Sequence, residues 1–173
     1  MLKSALFSPD RRYRYKLSRI WAPSKPRILF IGLNPSTADE VIDDATVRRC
    51  IGFAQSWGYG GIYMGNLFNL VSTNPAKLLT AQPIEHKPGE GLATLYDMVY
   101  DSALVVAAWG KLNQRLQERA NTVTNIVAYM GCDTLHCLRV NKDGSPKHPL
   151  YLRSDTKLVL WEAHYQQGAT GWK

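Results

Sequence analysis

The hydrophobic pattern of the chain alternates between short apolar runs and longer amphipathic stretches. Four runs predict strands, and two of them, 28–33 and 102–110, are almost wholly apolar, as expected for strands of a parallel sheet that is covered on both faces. The four runs are ILFIGL (28–33), GIYMGNLFNL (61–70), SALVVAAWG (102–110) and TLHCLRV (134–140). Between them, apolar residues recur at helical spacing, which predicts helices over 46–58, 89–101 and 112–131. The pattern therefore predicts an α/β fold.

The order of these elements predicts the architecture. A β-α-β-α-β-α-β order is typical of a three-layer α/β/α sandwich, here with a central, mostly parallel four-stranded sheet. YRYKLSRIW (13–21) alternates with period two and predicts a further strand at the sheet edge. Its apolar face would carry Tyr13, Tyr15 and Leu17, and its polar face Arg14, Lys16 and Ser18. We expect one domain over 1–173, with a core of about 5–155 and a C-terminal tail over 156–173.

Composition and charge narrow the choice of partners. The chain has 45% hydrophobic and 20% charged residues, as globular proteins do. Its net charge is +7, and many of the cations cluster in RRYRYKLSR (11–19), which favours an anionic partner, nucleic acid before membrane. No run approaches the ~20 apolar residues of a membrane span, and the N-terminus lacks a secretory signal. We therefore expect a cytoplasmic protein with no membrane partner.

The cysteines give no sign of a cofactor. Cys50, Cys132 and Cys137 are an odd number and form no CxxC pair. A disulfide framework, a structural zinc site and an iron–sulfur site would each need more, or better spaced, ligands. We therefore expect no cofactor and no metal.

Polar and aromatic residues follow the ends of the four predicted parallel strands, where ligands of such sheets bind. The strand ends carry Gly32-Leu-Asn-Pro-Ser36, Asn66-Leu-Phe68, Trp109-Gly110 and His148-Pro-Leu-Tyr-Leu152. Each also has a purely structural interpretation. Asn34 can form a simple turn, Asn66 can cap a strand and His148 can lie in a solvent-exposed loop. Phe68 and Trp109 can belong to the core.

Taken together, the four strand ends resemble the uracil-DNA glycosylase superfamily. GLNPS is similar to the Gly-Ile-Asn-Pro motif of the mismatch-specific branch, and HPLYL is similar to the superfamily's His-Pro-Ser-Pro-Leu loop. Asn66 stands where the uracil-specific branch has its base-reading asparagine. More narrowly, GLNPSTADE, DDATVRRCIGFAQSWGYGGIY and NLF resemble an uncharacterised bacterial and phage family of that fold. The resemblance covers roughly residues 5–155.

The resemblance implies a nucleobase-binding protein that hydrolyses the N-glycosidic bond of uracil, or of a modified or mismatched pyrimidine, in DNA. Asn34 would hold the attacking water, and His148 would donate a hydrogen bond to the departing base. The base-binding residues would be Gly32, Leu33, Pro35, Ser36, Asn66 and Phe68. The DNA-binding residues would be Arg48, Arg49, Lys147, Leu150, Tyr151 and Arg153, with Leu150 or Tyr151 entering the base stack.

Two features leave other functions open. Asn34 is an amide and cannot take a proton, which favours a non-catalytic DNA-binding or base-sensing module. An enzyme of the same fold acting on a free nucleoside, nucleotide or modified phage base is the other alternative. An acidic cluster beside the predicted pocket would also repel phosphate, and it consists of Asp39, Glu40, Asp43 and Asp44. We expect it to pair with Arg48 and Arg49, rather than to bind Mg²⁺.

Overall fold

The computed structural model describes residues 1–80, 89–131 and 135–161, and within them it shows a seven-stranded sheet with three α-helices. The strands are β1 (Leu2–Phe7), β2 (Arg14–Ile20), β3 (Arg27–Gly32), β4 (Gly61–Asn66), β5 (Leu104–Ala107), β6 (His136–Cys137) and β7 (Val159–Leu160). The helices are α1 (Ala45–Ser56), α2 (Glu90–Tyr100) and α3 (Gln117–Tyr129). The predicted α/β class is confirmed.

The sheet is mixed, with the strand order β1-β2-β4-β3-β5-β6-β7. The four strands predicted to be parallel are the parallel ones, β4, β3, β5 and β6. The predicted sheet was nevertheless too small, because β1 and β7 add antiparallel strands at its two edges. Since β1 pairs along β2, the prediction that residues 13–21 form the edge strand is wrong.

Helices cover both faces of the sheet. On β3, Ile28 and Phe30 pack in one hydrophobic cluster with residues of α1, whereas Leu29 and Ile31 pack in a second cluster with residues of α2 and α3. Side chains alternate along a strand, so β3 is buried on both sides and reads as a continuous apolar run. We call these two sides the α1 face and the α3 face.

The predicted division of β2 into an apolar and a polar face is also wrong. Tyr13 and Tyr15 lie in the α3-face cluster, but Leu17 lies in the α1-face cluster. The reason is a bulge, because Leu6 pairs with Lys16 while Phe7 pairs with Arg14, which leaves Tyr15 as an additional residue. A bulge interrupts the strict alternation of side chains and is not visible in the hydrophobic pattern.

Asp44 fixes the start of α1. Its Oδ1 accepts a hydrogen bond from the Val47 N–H at 2.8 Å, and Val47 then begins the apolar stripe that faces the sheet.

Some predicted positions lie outside the described residues, namely residue 134, Cys132 and residues 162–173. In the ranges that the structure describes, no helix is long and apolar enough to cross a membrane.

Candidate functional site

The carboxyl ends of the parallel strands form the candidate site. The chain leaves β3 for α1 on one face and leaves β5 for α3 on the other. A crevice forms where neighbouring connections diverge in this way, and ligands of open α/β sheets bind there. The loop with His148 reaches the same place, since a Cβ on Gly110, just beyond β5, would lie 3.4 Å from the His148 Cβ.

Asn66 is a buried amide beside Gly32. The two residues are register partners at the ends of β4 and β3, and a Cβ on Gly32 would lie 3.1 Å from Asn66 Oδ1. Met64, two residues earlier on β4, packs in the α1-face cluster, so Asn66 points to the α1 face as well. A larger residue at position 32 would therefore press on the Asn66 amide and have to displace it by a few tenths of an ångström.

The amide nitrogen of Asn66 has no hydrogen-bond partner in the described part of the chain. The residue is 7% exposed and its Nδ2 is fully buried. Most buried polar groups in folded proteins are paired, and an unpaired one costs about 1–3 kcal/mol. A buried donor that the fold leaves unpaired at a strand end is a group that a ligand can satisfy.

Asn34 differs, because its amide nitrogen is fully occupied. Nδ2 donates to the carbonyl oxygens of Ser72 at 2.8 Å, Pro35 at 3.0 Å and Leu70 at 3.4 Å. The Ser72 N–H in turn donates to the Pro35 carbonyl at 2.9 Å. Asn34 therefore ties the turn after β3 to the segment after β4. Its Oδ1 accepts no hydrogen bond from the described residues, so it remains the atom that could contact a water.

His148 accepts a hydrogen bond through one ring nitrogen, which places the proton of its neutral form on the other. Its Nδ1 accepts from the Leu150 N–H at 3.3 Å, as the cap of a short 3₁₀ turn over Pro149–Tyr151. Burial lowers the pKa of His148, against the opposing effect of the Asp44 carboxylate. A neutral ring with Nδ1 as acceptor carries its proton on Nε2.

Two buried arginines of β2, Arg14 and Arg19, were not predicted as site residues. Arg19 is 0% exposed and Arg14 is 2% exposed. Arg14 donates through Nη1 to the Ala38 carbonyl at 2.8 Å, which places it against the loop that follows β3. The sequence pattern put Arg14 on a polar face, and the bulge that turns it inward has no signal in the sequence.

Two carboxylates of the acidic cluster are paired with cations, but not with the partners that were predicted. Asp43 accepts from Arg19 Nε at 2.6 Å and from Lys3 Nζ at 2.9 Å, and Glu40 forms a two-bond pair with Arg11. Burial would raise the pKa of Asp43, but the hydrogen bonds and charges of Lys3 and Arg19 lower it overall.

The other two carboxylates of the cluster cap backbone groups. Asp39 Oδ1 accepts from the N–H groups of Val41 and Ile42, both at 2.7 Å, and these bonds lower its pKa. Asp44 caps α1. Arg48 only reaches the Asp43 carbonyl oxygen, and Arg49 lies over the Phe53 ring at 4.9 Å, so the prediction of Arg48 and Arg49 as partners is wrong. Among the described residues no group of three or more His, Cys, Asp or Glu could hold a metal.

The structure separates some predicted base-binding residues from Asn66. Phe68 is buried in the α3-face cluster, and Leu33 packs against the same cluster. The Phe68 N–H donates to the Leu33 carbonyl at 2.9 Å, so both belong to the continuation of the sheet rather than to the α1 face. Pro35 is buried and Ser36 is half-buried in the turn that Asn34 holds.

The predicted DNA-binding residues lie around this edge in different degrees of exposure. Tyr151 is 80% exposed and Leu150 is 37% exposed, as residues that enter a base stack would have to be. Arg48 is exposed and Lys147 is half-buried. Arg153 is exposed but paired with Asp155 at 3.1 Å. Among the predicted DNA-binding residues, Leu150 and Tyr151 are therefore exposed without being held in an ion pair.

A cavity of about 410 Å³ lies on the other side of the sheet. Phe68 and Leu78 contribute apolar walls, and Arg115 and Arg119 line it from α3 and the turn before it. Arg119 Nε donates to the Leu67 carbonyl at 2.6 Å, which holds the end of β4. The cavity is separated from Asn66 by the sheet.

Comparison with protein families matches residues 14–150, most of the 173-residue chain, to the family described as "Protein of unknown function (DUF1643)". The chain belongs to this family. No curated protein and no solved structure matches the chain. The prediction of an uncharacterised family is confirmed in that general form, and the relationship to the uracil-DNA glycosylase superfamily stays a prediction.

Proposed function

We propose that this member of the DUF1643 family binds a nucleobase at the carboxyl edge of its sheet and hydrolyses the N-glycosidic bond that joins the base to DNA. The observation that carries the proposal is the buried, unpaired Nδ2 of Asn66 beside Gly32. An asparagine amide offers one donor and one acceptor side by side. Uracil and thymine present the complementary pair, a carbonyl oxygen and a ring N–H, so we propose a base of this imide type.

The partial neutralisation of the acidic cluster supports DNA as the form in which the base is presented. Asp43 and Glu40 are paired with Lys3, Arg19 and Arg11, so these carboxylates no longer oppose a phosphate backbone at full charge. Exposed side chains at Tyr151 and Leu150 can fill the gap in a base stack when a nucleotide turns out of it.

In the proposed reaction one water is consumed. The water oxygen bonds to C1′ of the sugar, the C1′–N bond breaks, and its electron pair leaves with the base. Asn34 Oδ1 would accept a hydrogen bond from the water, and His148 Nε2–H would donate to the oxygen of the departing base. Asn34 takes no proton, so the water's proton passes to solvent, and we expect slow turnover compared with an enzyme that has a carboxylate there.

An abasic-site assay tests this function. Protein is incubated with single-stranded and duplex oligonucleotides that contain uracil, mismatched thymine, hypoxanthine, hydroxymethyluracil or only ordinary cytosine, and alkali then cleaves any abasic product. We expect product from an imide-type base and none from cytosine. Asn66→Ala should abolish the product. No cleavage of any oligonucleotide by folded wild-type protein would overturn hydrolysis for these bases.

A second function, base sensing without catalysis, is favoured by one specific observation. The Asn34 amide nitrogen already donates to three backbone carbonyl oxygens, and an amide oxygen is a poor catalyst on its own. A base sensor would bind the same oligonucleotides, with an affinity that falls with salt and depends on Asn66, but would leave them intact.

A further inference from the structure

Arg14 is a buried cation that forms no salt bridge with any described residue. It is 2% exposed, its Nε is buried without a hydrogen-bond partner, and its one side-chain hydrogen bond goes to the Ala38 carbonyl. Burial lowers the pKa of Arg14 to about 10, with Asp44 raising it and Arg19 lowering it further. The guanidinium therefore stays charged at neutral pH. A buried charge without a partner is costly, so its retention needs a reason.

Arg19, on the same strand, shows that this fold can satisfy a buried arginine. Arg19 Nε donates to Asp43 at 2.6 Å, and its Nη groups donate to the carbonyl oxygens of Ser18 at 2.8 Å and Asp39 at 2.6 Å. Arg14 contacts the same loop one residue earlier, at Ala38, but without a carboxylate. The two arginines differ in pairing and not in burial.

The turn that Arg14 contacts has further donors without partners. Arg14 Nη1 reaches Ala38 of the α1-face cluster, which is the face to which Asn66 points, and the Arg14 N–H donates to the carbonyl oxygen of Asn69, three residues beyond Asn66, at 2.9 Å. In the turn that Arg14 touches, the N–H groups of Ser36, Thr37 and Ala38 donate no hydrogen bond within the described ranges. Successive free N–H groups beside a guanidinium form the arrangement that binds phosphate oxygens.

We propose that Arg14 and the turn of residues 36–38 bind a phosphate group of the ligand. The proposal rests on the proposed function in one respect, since the phosphate and the base that Asn66 binds would belong to the same nucleotide. A phosphate has enough acceptor oxygens for the guanidinium and the turn together, and it supplies the missing negative charge. Because Arg14 is almost fully buried, only a phosphate that enters the site can reach it. The ligand is therefore a free nucleotide or one turned out of its strand.

Thermal unfolding with inorganic phosphate tests the anion site alone. Wild-type protein is melted in phosphate and in chloride of equal ionic strength and pH, beside Arg14→Met and the matched control Lys25→Met, which removes an exposed cation. We expect phosphate to raise the Tm of the wild type and of Lys25→Met by several degrees. The Tm of Arg14→Met should be the same in phosphate and in chloride. An equal rise in all three proteins, or no rise in the wild type, would overturn the proposal.

A second variant and two nucleotide probes complete the test. If Arg14→Met does not fold, Arg14→Lys retains the charge without the planar fork and should weaken the phosphate effect several-fold. The affinities for deoxyuridine and deoxyuridine 5′-monophosphate are then compared. The monophosphate should bind more tightly than the nucleoside, and Arg14→Lys should reduce this difference in affinity. Equal binding of the two would overturn the phosphate site. Failure of the abasic-site assay alone would overturn only the proposed hydrolysis, since neither probe requires cleavage.

Discussion

Two groups of polar side chains lie near the carboxyl edge of the sheet, and they differ in how their hydrogen bonds are satisfied. Arg19 donates to Asp43 and to the Asp39 carbonyl oxygen, and each acidic residue of the loop of residues 39–44 has a partner. At the strand ends, Asn66 Nδ2 and Arg14 Nε are equally buried but have no partner among the described residues. The bonds of the first group stabilise the fold, whereas the second group has unpaired donors that we propose a ligand satisfies.

The comparison gives each group a different expected response to substitution. Removing one side of a satisfied buried pair leaves the other side unpaired and destabilises the protein. Removing a buried donor that has no partner removes the desolvation cost of that donor and also some packing contacts. These two effects oppose each other, so the free energy of unfolding changes little. Functional sites often lower the stability of a protein in this way. Stability and binding measured on the same variants therefore separate the structural residues from the functional ones.

The largest expected effect is the difference in stability between substitutions of the two β2 arginines. Arg19→Met removes one of the two cations that pair with Asp43 and the donor for the carbonyl oxygens of Ser18 and Asp39, so it should destabilise by about 3–5 kcal/mol. Arg14→Met removes an uncompensated charge and loses one hydrogen bond to Ala38, so it should change stability by less than about 1 kcal/mol. Urea unfolding of both variants measures the difference. Equal destabilisation by both substitutions would contradict the claim that Arg19 is satisfied within the fold and Arg14 is not.

Asn34→Ala should have an intermediate effect on stability. It removes the donor for the carbonyl oxygens of Pro35, Leu70 and Ser72 and should cost about 1–3 kcal/mol. Loss of activity in this variant would therefore be ambiguous on its own. Chemical unfolding beside the abasic-site assay resolves this, and an unchanged midpoint would show that Asn34 is not the tie between the two segments.

Asn66→Ala should change stability by no more than about 1 kcal/mol and yet abolish binding of the base. The reason is that its side chain donates to nothing in the described fold, while a base would use both its donor and its acceptor. Affinity for a uracil-containing oligonucleotide, measured by fluorescence anisotropy at fixed salt, checks this. A folded Asn66→Ala that binds as well as the wild type would contradict the role of Asn66.

The smallest effect concerns His148 and pH. Burial lowers the pKa of His148 below the ordinary 6.5, so the unfolded chain takes up this proton before the folded protein does. The stability that depends on neutral His148 is present above pH 6.5 and is lost as the pH falls through the lower folded value. His148→Asn keeps an acceptor for the Leu150 N–H and should flatten the Tm between about pH 7 and 5. An unchanged slope would contradict the shift.

The sequence predicted the parts of the fold that depend on periodicity. The central strands and all three helices follow from apolar runs and helical spacing. β1 could not be predicted in this way, because Leu2 and Leu6 are exposed and the strand exists through pairing with β2. β7 is only two residues long and also depends on its partner strand.

The candidate site was predicted only as a set of strand ends. Gly32 and Asn66 were expected together at one edge of the sheet, and the structure pairs them. Phe68 could not be assigned to a face from the sequence, because the chain bends after Asn66. Arg14 was missed because the bulge at Tyr15 reverses the faces of β2, and hydrogen-bond partners of buried arginines are tertiary contacts without a sequence signal.

The side-chain amide signals of Asn66 and Asn34 test the central claim most directly. Both NH₂ groups can be followed in one ¹⁵N–¹H spectrum, with Asn66→Ala and Asn34→Ala used for assignment, while a uracil-containing oligonucleotide is added. We predict that the Asn66 signals move as its free Nδ2 gains an acceptor, and that the Asn34 signals stay in place because its Nδ2 is already bonded. Asn66 signals that remain unmoved at saturating oligonucleotide, or a shift at Asn34 alone, would contradict base reading by Asn66.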